Sequence, residues 1–485
     1  MLRPTVAQAD RMQSSISTDV VVIGLGPGGQ QVAEDLASAG VPVVGVDAGL
    51  VGGECPYWGC VPSKRMIRAA SALAEARRVD GLAGTATVTP DWAPVHAWIR
   101  DSATDDWDDR VAVERLEGKG GTFVRGRGRL DGPGTVVVTT PDGDEVVVTA
   151  ARAVVVASGS APAVPPIDGL AGTPYWTNHE FVESAELPAS MVVLGGGAIG
   201  CELTQVVARF GVHVTIVEYA DRLLALEEPE AGALLAEVFA AEGIDVRTGV
   251  GAAHVEHSDA DGFAVTLSDG SVVRGEKLLV ATGRRVDLVA LGAETLGVDA
   301  GARTFTVDDT LRVVGPEGPV DGVFAIGDCA GQGAFTHVAV HHARIVTASL
   351  LHPTDPLASN PITAMPRVTF TDPEIGAVGL TVAQAKARGL AVRAVSLPLA
   401  SAATRGWIHG PGNEGFLSVV EADGLLVGAT SAGPTGGEVL GALSVAVQGK
   451  VPVADLRRMV WAYPTMHRGI EYVLSLLDDA EVQRD

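Results

Sequence analysis

Short runs of Val, Ile and Leu, each closed by glycines and followed by a stretch with helical spacing of apolar positions, set the texture of this chain. Runs that are apolar on both faces suit parallel strands buried inside a sheet, and a glycine turn directly after such a strand leads into a helix. Two such units repeat. The first reads Asp19-Val-Val-Val-Ile-Gly24-Leu-Gly26-Pro-Gly-Gly29, then a helical stretch from Gln30 to Ala39, then Val41 to Val46 and Asp47. The second reads Met191-Val-Val-Leu-Gly195-Gly-Gly197-Ala-Ile-Gly200, then Cys201 to Phe210, then Val212 to Val217 and Glu218. In both, 23 positions separate the first glycine from the acidic residue, which makes coincidence a poor explanation. Each unit has a later strand ending in small residues, Ala153 to Val156 before Gly159 and Lys277 to Val280 before Gly283. A third, Gly322 to Ile326, ends at Gly327-Asp328 and precedes a helix from Thr336. Beyond Pro361 strands at Arg367 to Phe370, Phe416 to Val420 and Leu425 to Thr430 are interspersed with helical patterns at Val382 to Arg388 and Gly437 to Gln448, an α+β texture.

Composition narrows the function classes. With 485 residues, 47% hydrophobic and 19% charged, the chain is long enough for several buried cores, and no apolar run of ~20 residues would span a bilayer. A net charge of −24 repels phosphate backbones, so nucleic acid is not an expected partner. Residues 1–18 carry two Arg and no continuous apolar stretch, so they read as a mobile tail on a cytoplasmic protein, without a secretory signal.

A GxGxxG turn works because its first glycine permits a tight bend, its second lets a pyrophosphate approach the backbone, and its third lets helix pack on strand. Both copies here follow a strand, open a helix and reach an acidic residue at the end of the next strand, so both read as dinucleotide sites. Asp47 and Glu218 are placed to accept hydrogen bonds from an adenosine ribose. A carboxylate at Glu218 repels a 2′-phosphate and favours NAD over NADP, although Arg222 lies four residues on. Between the first acidic residue and the next helix stands Gly52-Gly53-Glu54-Cys55-Pro-Tyr-Trp-Gly-Cys60-Val-Pro-Ser63-Lys64. Two Cys five apart suit buried thiols, zinc ligands or a disulfide that opens and closes. Zinc needs a companion pair that the sequence lacks, so no metal is expected and the disulfide fits better.

Through these motifs the chain resembles the flavin-dependent pyridine nucleotide-disulfide oxidoreductases, the group that includes lipoamide dehydrogenase, glutathione reductase and mercuric reductase. The most specific match is the GG-x-C-x4-C-x-PSK segment, Gly52 to Lys64; Phe370 to Thr381 resembles the start of the family's interface domain. The resemblance implies an α/β fold with two Rossmann-like dinucleotide-binding domains and a C-terminal α+β dimerisation domain. Its expected divisions are a tail 1–18, an FAD-binding domain 19–168, an NAD-binding domain 169–290, the rest of the FAD domain 291–360 and a dimerisation domain 361–485. It assigns Gly24, Gly26, Gly29, Asp47, Gly53, Gly159, Gly327 and Asp328 to FAD, with the segment Ala334, Phe335, Thr336 and His337. Gly195, Gly197, Gly200, Glu218 and Gly283 go to the nicotinamide nucleotide. Cys60 becomes the thiolate nearer the flavin, Cys55 the exchanging thiol, and Lys64 pairs with Glu202 beside flavin N5. Thr336 is a plausible N-cap by its residue type, while Cys201 and Cys329 read as small buried residues.

One segment departs from the family. Where disulfide-exchanging members carry His-Pro-Thr with a Glu five residues after the His, this chain has Tyr463-Pro464-Thr465-Met466-His467-Arg468-Gly469-Ile470-Glu471. A phenol with pKa ~10 is a poor base at neutral pH, whereas His467 and Glu471 share a face if the segment is helical and would rebuild a His-carboxylate pair. No Cys follows Cys329, which counts against mercuric reductases and large thioredoxin reductases with their C-terminal thiols. The reading is a homodimeric FAD- and NADH-linked oxidoreductase acting through Cys55-Cys60 on a small-molecule thiol or disulfide. Its alternative passes electrons to a quinone, dye, metal ion or oxygen.

Overall fold

The computed structural model describes residues 14–359 and 361–484. They fall into two compact units, one holding residues 14–61, 99–161, 284–359 and 361, the other residues 62–98, 162–283 and 362–484. Residues 1–13 of the expected tail lie outside the described residues. Ser14 to Thr18, assigned to that tail from sequence, instead begin the strand Ser14–Ile23, pairing in parallel with Val146 to Ala150. A neighbouring strand that extends beyond the buried Val-rich segment offers these polar residues backbone partners.

Among the described residues, the first unit's sheet has eight strands. Its main path runs Arg312–Gly315, Gly318–Ala325, Glu145–Val156, Ser14–Ile23, Val43–Asp47 and Thr122–Arg125, parallel after the first pair. Alternate side chains of a strand point to opposite faces. Val20 and Val22 pack with Val32, Ala33 and Leu36 of the helix Pro27–Ser38, whereas Val21 and Ile23 pack with Val136, Val138, Leu288 and Phe305. Both faces are covered, which is why the run has no polar alternation.

The second unit repeats the βαβ layout in a parallel sheet ordered Asp245–Thr248, His213–Glu218, Ser190–Leu194 and Lys277–Val280. An antiparallel meander, Ala252–Ser258, Gly262–Leu267 and Val272–Gly275, covers it with Val255, Phe263 and Val265 against Val192 and Leu194. The unit also holds a five-stranded antiparallel sheet ordered Pro366–Thr369, Glu374–Gly379, Leu425–Gly433, Phe416–Ala422 and Arg393–Pro398. On it lies the helix Gly436–Gln448, burying Val439, Leu440 and Leu443. Two Rossmann-like βαβ units followed by a distinct α+β domain are thus the architecture. The two repeat helices start at Pro27 and Ala198, three residues earlier than their apolar spacing predicts, because Gly26 and Gly197 serve as N-caps inside the turns. Among the described residues, no helix is long and apolar enough to cross a membrane.

Candidate functional site

The glycine turns are one piece of geometry used twice. Gly24 and Gly195 sit at φ +91° and +109°, where an L side chain is strained, and a Cβ there would strike the carbonyl of Ala157 or Ala281. A Cβ on Gly29 would strike the Gly24 carbonyl, and one on Gly200 the Gly195 carbonyl. Over Gly26 and Gly197 a Cβ would meet nothing within 4 Å. Two glycines of each turn therefore close the joint between strand and helix, and the middle one leaves the helix N-terminus open. Neither helix has a side-chain cap, so its leading N–H groups are available to an anion. Both cradles fit a dinucleotide pyrophosphate.

The acidic residues make backbone hydrogen bonds that were not among the sequence expectations. Asp47 accepts from the N–H groups of Leu25 at 2.6 Å and Gly49 at 2.8 Å; Glu218 accepts from Gly196 at 2.5 Å and Ala220 at 2.7 Å. Each carboxylate thus clamps the residue between the first two glycines and keeps further lone pairs. Burial pushes the Asp47 carboxyl above its ordinary value against the pull of its two N–H donors. In the first unit Asp109 accepts from Val51 N–H at 2.7 Å and pairs with Arg125 at 2.5 Å, fixing the loop after Asp47.

That loop leads to the cysteines. A Cβ on Gly53 would lie 2.8 Å from the Gly26 Cα, so the cysteine loop rests on the first glycine turn by backbone contact. Cys55 lies in the short helix Glu54–Tyr57, and Cys60 opens the helix Cys60–Arg77. Neither sulfur is in a disulfide; Cys55 is half-buried and Cys60 exposed. Its hydrogen bond with Cys60, together with burial, pushes the Cys55 thiol well up. The Cys60 Sγ is 3.5 Å from Thr336 Oγ1. Thr336 is not an N-cap: the cap is the extended Phe335, and Thr336 is the first residue of the helix Thr336–Leu351.

Around the Gly327-Asp328 turn, Asp328 accepts from Ser160 Oγ at 2.5 Å. Arg284 Nε donates to Ser160 Oγ at 2.8 Å, and another of its nitrogens lies 3.5 Å from the Glu54 carboxylate. Sequence reasoning passed over Arg284, whose only signal is its place directly after Gly283. Gly327 N–H donates to Nδ1 of the buried His342 at 3.1 Å, and burial lowers His342 to about 4, leaving it neutral near pH 7. Phe335 and His337 stack with ring centres 5.2 Å apart, next to Ala334. Gly159 and Gly283 each lie three residues past the end of a strand, with open space where a Cβ would stand. Cys201 and Cys329 are buried as expected; burial pushes Cys329 up to about 11.

In the second unit Lys64 pairs with Glu202 at 2.9 Å and lies 4.4 Å from the centre of the Phe370 ring. Glu202 also accepts from Phe370 N–H at 2.8 Å. Glu202, Gln205 and Arg209 are all buried on the helix Ala198–Arg209 and run along one side of it toward the Phe370–Asp372 segment. Gln205 exchanges two hydrogen bonds with the Asp372 backbone, both 2.8 Å, and Arg209 reaches the Asp372 carboxylate at 2.8 Å and Glu242 at 2.6 Å. Arg78 adds a second cation to Asp372 at 2.9 Å. The sequence signal for this stripe was polar residues three and four apart in an otherwise apolar helix.

The C-terminal segment corrects one expectation. The helix begins at Gly469, so His467 and Glu471 share no helix face, and Glu471 pairs with Arg468 at 2.9 Å. A guanidinium keeps its charge at every relevant pH, which makes it the stronger carboxylate partner than an imidazole. His467 Nε2 instead lies 3.4 Å from Thr465 Oγ1. Arg468 covers the Tyr463 and Tyr472 rings at 5.4 and 5.5 Å, and Tyr463 is exposed. Thr435, Glu438, Trp461, Pro464, Thr465 and His467 line a cleft of about 720 Å3. Among the described residues, no three of His, Cys, Asp and Glu gather as metal ligands.

Residues 18–343 match the family described as pyridine nucleotide-disulphide oxidoreductase, and residues 365–473 match that family's dimerisation domain. The mercuric reductase of Shigella flexneri is 34% identical over 486 residues, spanning 97% of this chain and 82% of the relative. The dihydrolipoyl dehydrogenase of Thermus scotoductus is 33% identical over 464 residues, spanning 93% and 95%. A crystal structure of LpdA from Mycobacterium tuberculosis, 28% identical, superposes with a TM-score of 0.81 over 95% of this chain and 99% of that one. The matched stretches include both glycine turns, the cysteine pair and the Tyr463 segment. The chain therefore belongs to the pyridine nucleotide-disulphide oxidoreductase family, enzymes that use FAD and a nicotinamide nucleotide, and Cys55 and Cys60 match the family's redox-active pair.

Proposed function

We propose that this protein carries electrons from NADH through FAD to a Cys55-Cys60 disulfide, and from that pair to an external acceptor. The contact of Gly53 with Gly26 supports this most, because it seats the cysteine loop on the first dinucleotide cradle through backbone alone. Gly24, Gly26, Gly29 and Asp47 would hold the adenosine and pyrophosphate of FAD, and Asp328 with the segment Ala334 to His337 the rest of it. Gly195, Gly197, Gly200 and Glu218 would hold NADH. Bound FAD supplies a two-electron relay between a dihydronicotinamide and a disulfide. When the disulfide takes up two electrons and one proton, its S–S bond breaks, the proton goes to Cys55 and the charge stays on Cys60. Lys64 and Glu202 act at the nicotinamide step as one ion pair. Arg222 is turned to Asp221 and to the Ala225 carbonyl, both at 3.0 Å, which leaves Glu218 to disfavour a 2′-phosphate.

A homodimer with a site completed by the partner's Tyr463 segment, located in the cytoplasm, belongs to the same proposal. The match to a dimerisation domain supports the dimer, and sedimentation at micromolar concentration checks it. For the acceptor, a thiol or disulfide is the first reading, with Cys55 as the exchanging thiol. One observation favours the second: a Cys55 thiol that is pushed up needs a base, and Glu471 is committed to Arg468 and not to His467. An acceptor that draws electrons without a base, a quinone or a metal ion as for the mercuric reductases, suits that arrangement.

Anaerobic mixing with NADH or NADPH, followed by a panel of disulfides, quinones and mercuric ion, tests both readings. NADH is expected to reduce the protein faster and to raise a long-wavelength band that Cys55→Ser keeps and Cys60→Ser loses. Full turnover of the best acceptor by both cysteine variants would overturn the disulfide route.

A further inference from the structure

We propose that the Thr336 hydroxyl is the hydrogen-bond donor that holds negative charge on Cys60 once the cysteine pair is reduced. This rests on the reading of Cys55-Cys60 as the redox pair. Thr336 Oγ1 stands 3.5 Å from the Cys60 Sγ, within the range of a hydrogen bond to sulfur, although 276 positions separate the two residues. The hydroxyl has no capping duty: the cap of its helix is Phe335, which has no side-chain oxygen, and the helix has no side-chain cap bond. Thr336 is also the first residue of a 16-residue helix, so the positive end of that helix lies at the same sulfur. Cys60 in turn opens an 18-residue helix of its own, and thiolates at helix N-termini are favoured.

The chemistry balances around this contact. The oxidised pair accepts two electrons and one proton; the S–S bond breaks, Cys55 receives the proton and Cys60 the charge. Cys55 is held as the thiol by its hydrogen bond with Cys60 and by burial, which outweigh the opposite pull of a hydrogen bond between Thr336 and Cys55, so the hydroxyl stands within reach of both sulfurs. A threonine hydroxyl has one proton to donate. Given to Cys60, it makes the two sulfurs unequal, so the reduced pair holds one thiolate at a defined end instead of sharing the charge. Thr336 touches a reacting atom and so counts as a catalytic residue under this reading.

The test is the pH profile of iodoacetamide alkylation at Cys60 in the reduced, FAD-loaded protein carrying Cys55→Ser, with peptide mass mapping to locate the label. Thr336→Val removes the donor at nearly constant shape, and Thr336→Ala does so with a residue that favours helix. Both are expected to shift the alkylation profile upward by about one pH unit, a roughly tenfold slower reaction at pH values below the parent's midpoint, whereas Thr336→Ser stays within about twofold of the parent. A merely structural threonine would not move this profile. Profiles of Thr336→Val and Thr336→Ala that superimpose on the parent would overturn the proposal, and so would a shift that Thr336→Ser fails to rescue. Failure of the redox-pair reading is seen separately, as full acceptor turnover by the cysteine variants, because alkylation reads the contact without turnover.

Discussion

The two glycine turns share the same close contacts and the same carboxylate clamp, yet the units around them differ in purpose. In the first unit the turn supports a loop: Gly53 rests on Gly26, Asp109 and Arg125 fix the loop after Asp47, and the chain goes on to Cys55. In the second the turn supports a helix face: Glu202, Gln205 and Arg209 reach out to Phe370 and Asp372, and Lys64 is pinned by the result. A turn of this kind makes a pyrophosphate cradle wherever it occurs. What the cradle serves is decided by the element that its far side holds in place.

The largest expected effect separates the two cradles outright. Gly29→Val drives a side chain into the Gly24 carbonyl, and the purified protein should be colourless because FAD is lost. Gly200→Val does the same at the Gly195 carbonyl, and should leave a yellow protein that NADH reduces at least ~100-fold more slowly. Absorbance at the flavin maximum and anaerobic reduction rates check both, and a colourless Gly200→Val protein would break the division of labour.

Next in size is the stripe that distinguishes the second unit. Arg209→Met leaves the Glu242 and Asp372 carboxylates short of a buried cation, at a cost of about 3 kcal/mol in stability. Thermal unfolding should show the loss, and reduction by NADH should slow while FAD content holds. Unchanged reduction would mean that the stripe serves stability and not the Lys64-Glu202 pair.

A comparable effect, read through pH, belongs to the first unit. His342 sits at about 4 in the folded protein, below the ordinary ~6.5 of an unfolded histidine, so the unfolded chain takes the proton first as pH falls. Stability that is fully present above ~6.5 is therefore lost down to ~4, by about 3 kcal/mol in total. His342→Asn should flatten that part of the stability profile, measured as unfolding midpoints against pH. The smallest effect sharpens the nucleotide choice: Glu218→Gln should narrow the preference for NADH over NADPH by about tenfold in kcat/KM, with FAD content unchanged. An unchanged ratio would remove Glu218 from that choice.

Much of this was legible before the fold. The strands around Gly24 and Gly195 and the pairing of Lys64 with Glu202 follow from apolar runs, glycine spacing and resemblance to a known family. The misread residues share a physical cause. For Thr336 the sequence shows a capping residue type but not the helix start, which lies one residue earlier, after the cap Phe335. The spacing of His467 and Glu471 gives one face only if the segment is helical throughout, but the helix starts later and Arg468 competes for the carboxylate.

By itself, then, the sequence determined the two cradles and the loop between Asp47 and Lys64, because a turn, a strand and a short loop are governed by neighbours a few residues away. Only the tertiary structure decided what touches Cys60, what holds Glu202 and where Asp47 spends its hydrogen bonds. Thr336 comes from 276 positions away and Phe370 from 168, and no local pattern encodes a contact made at that separation. Such contacts are set by how buried strands and helices pack, which places side chains by the geometry of the whole core and not by their order along the chain.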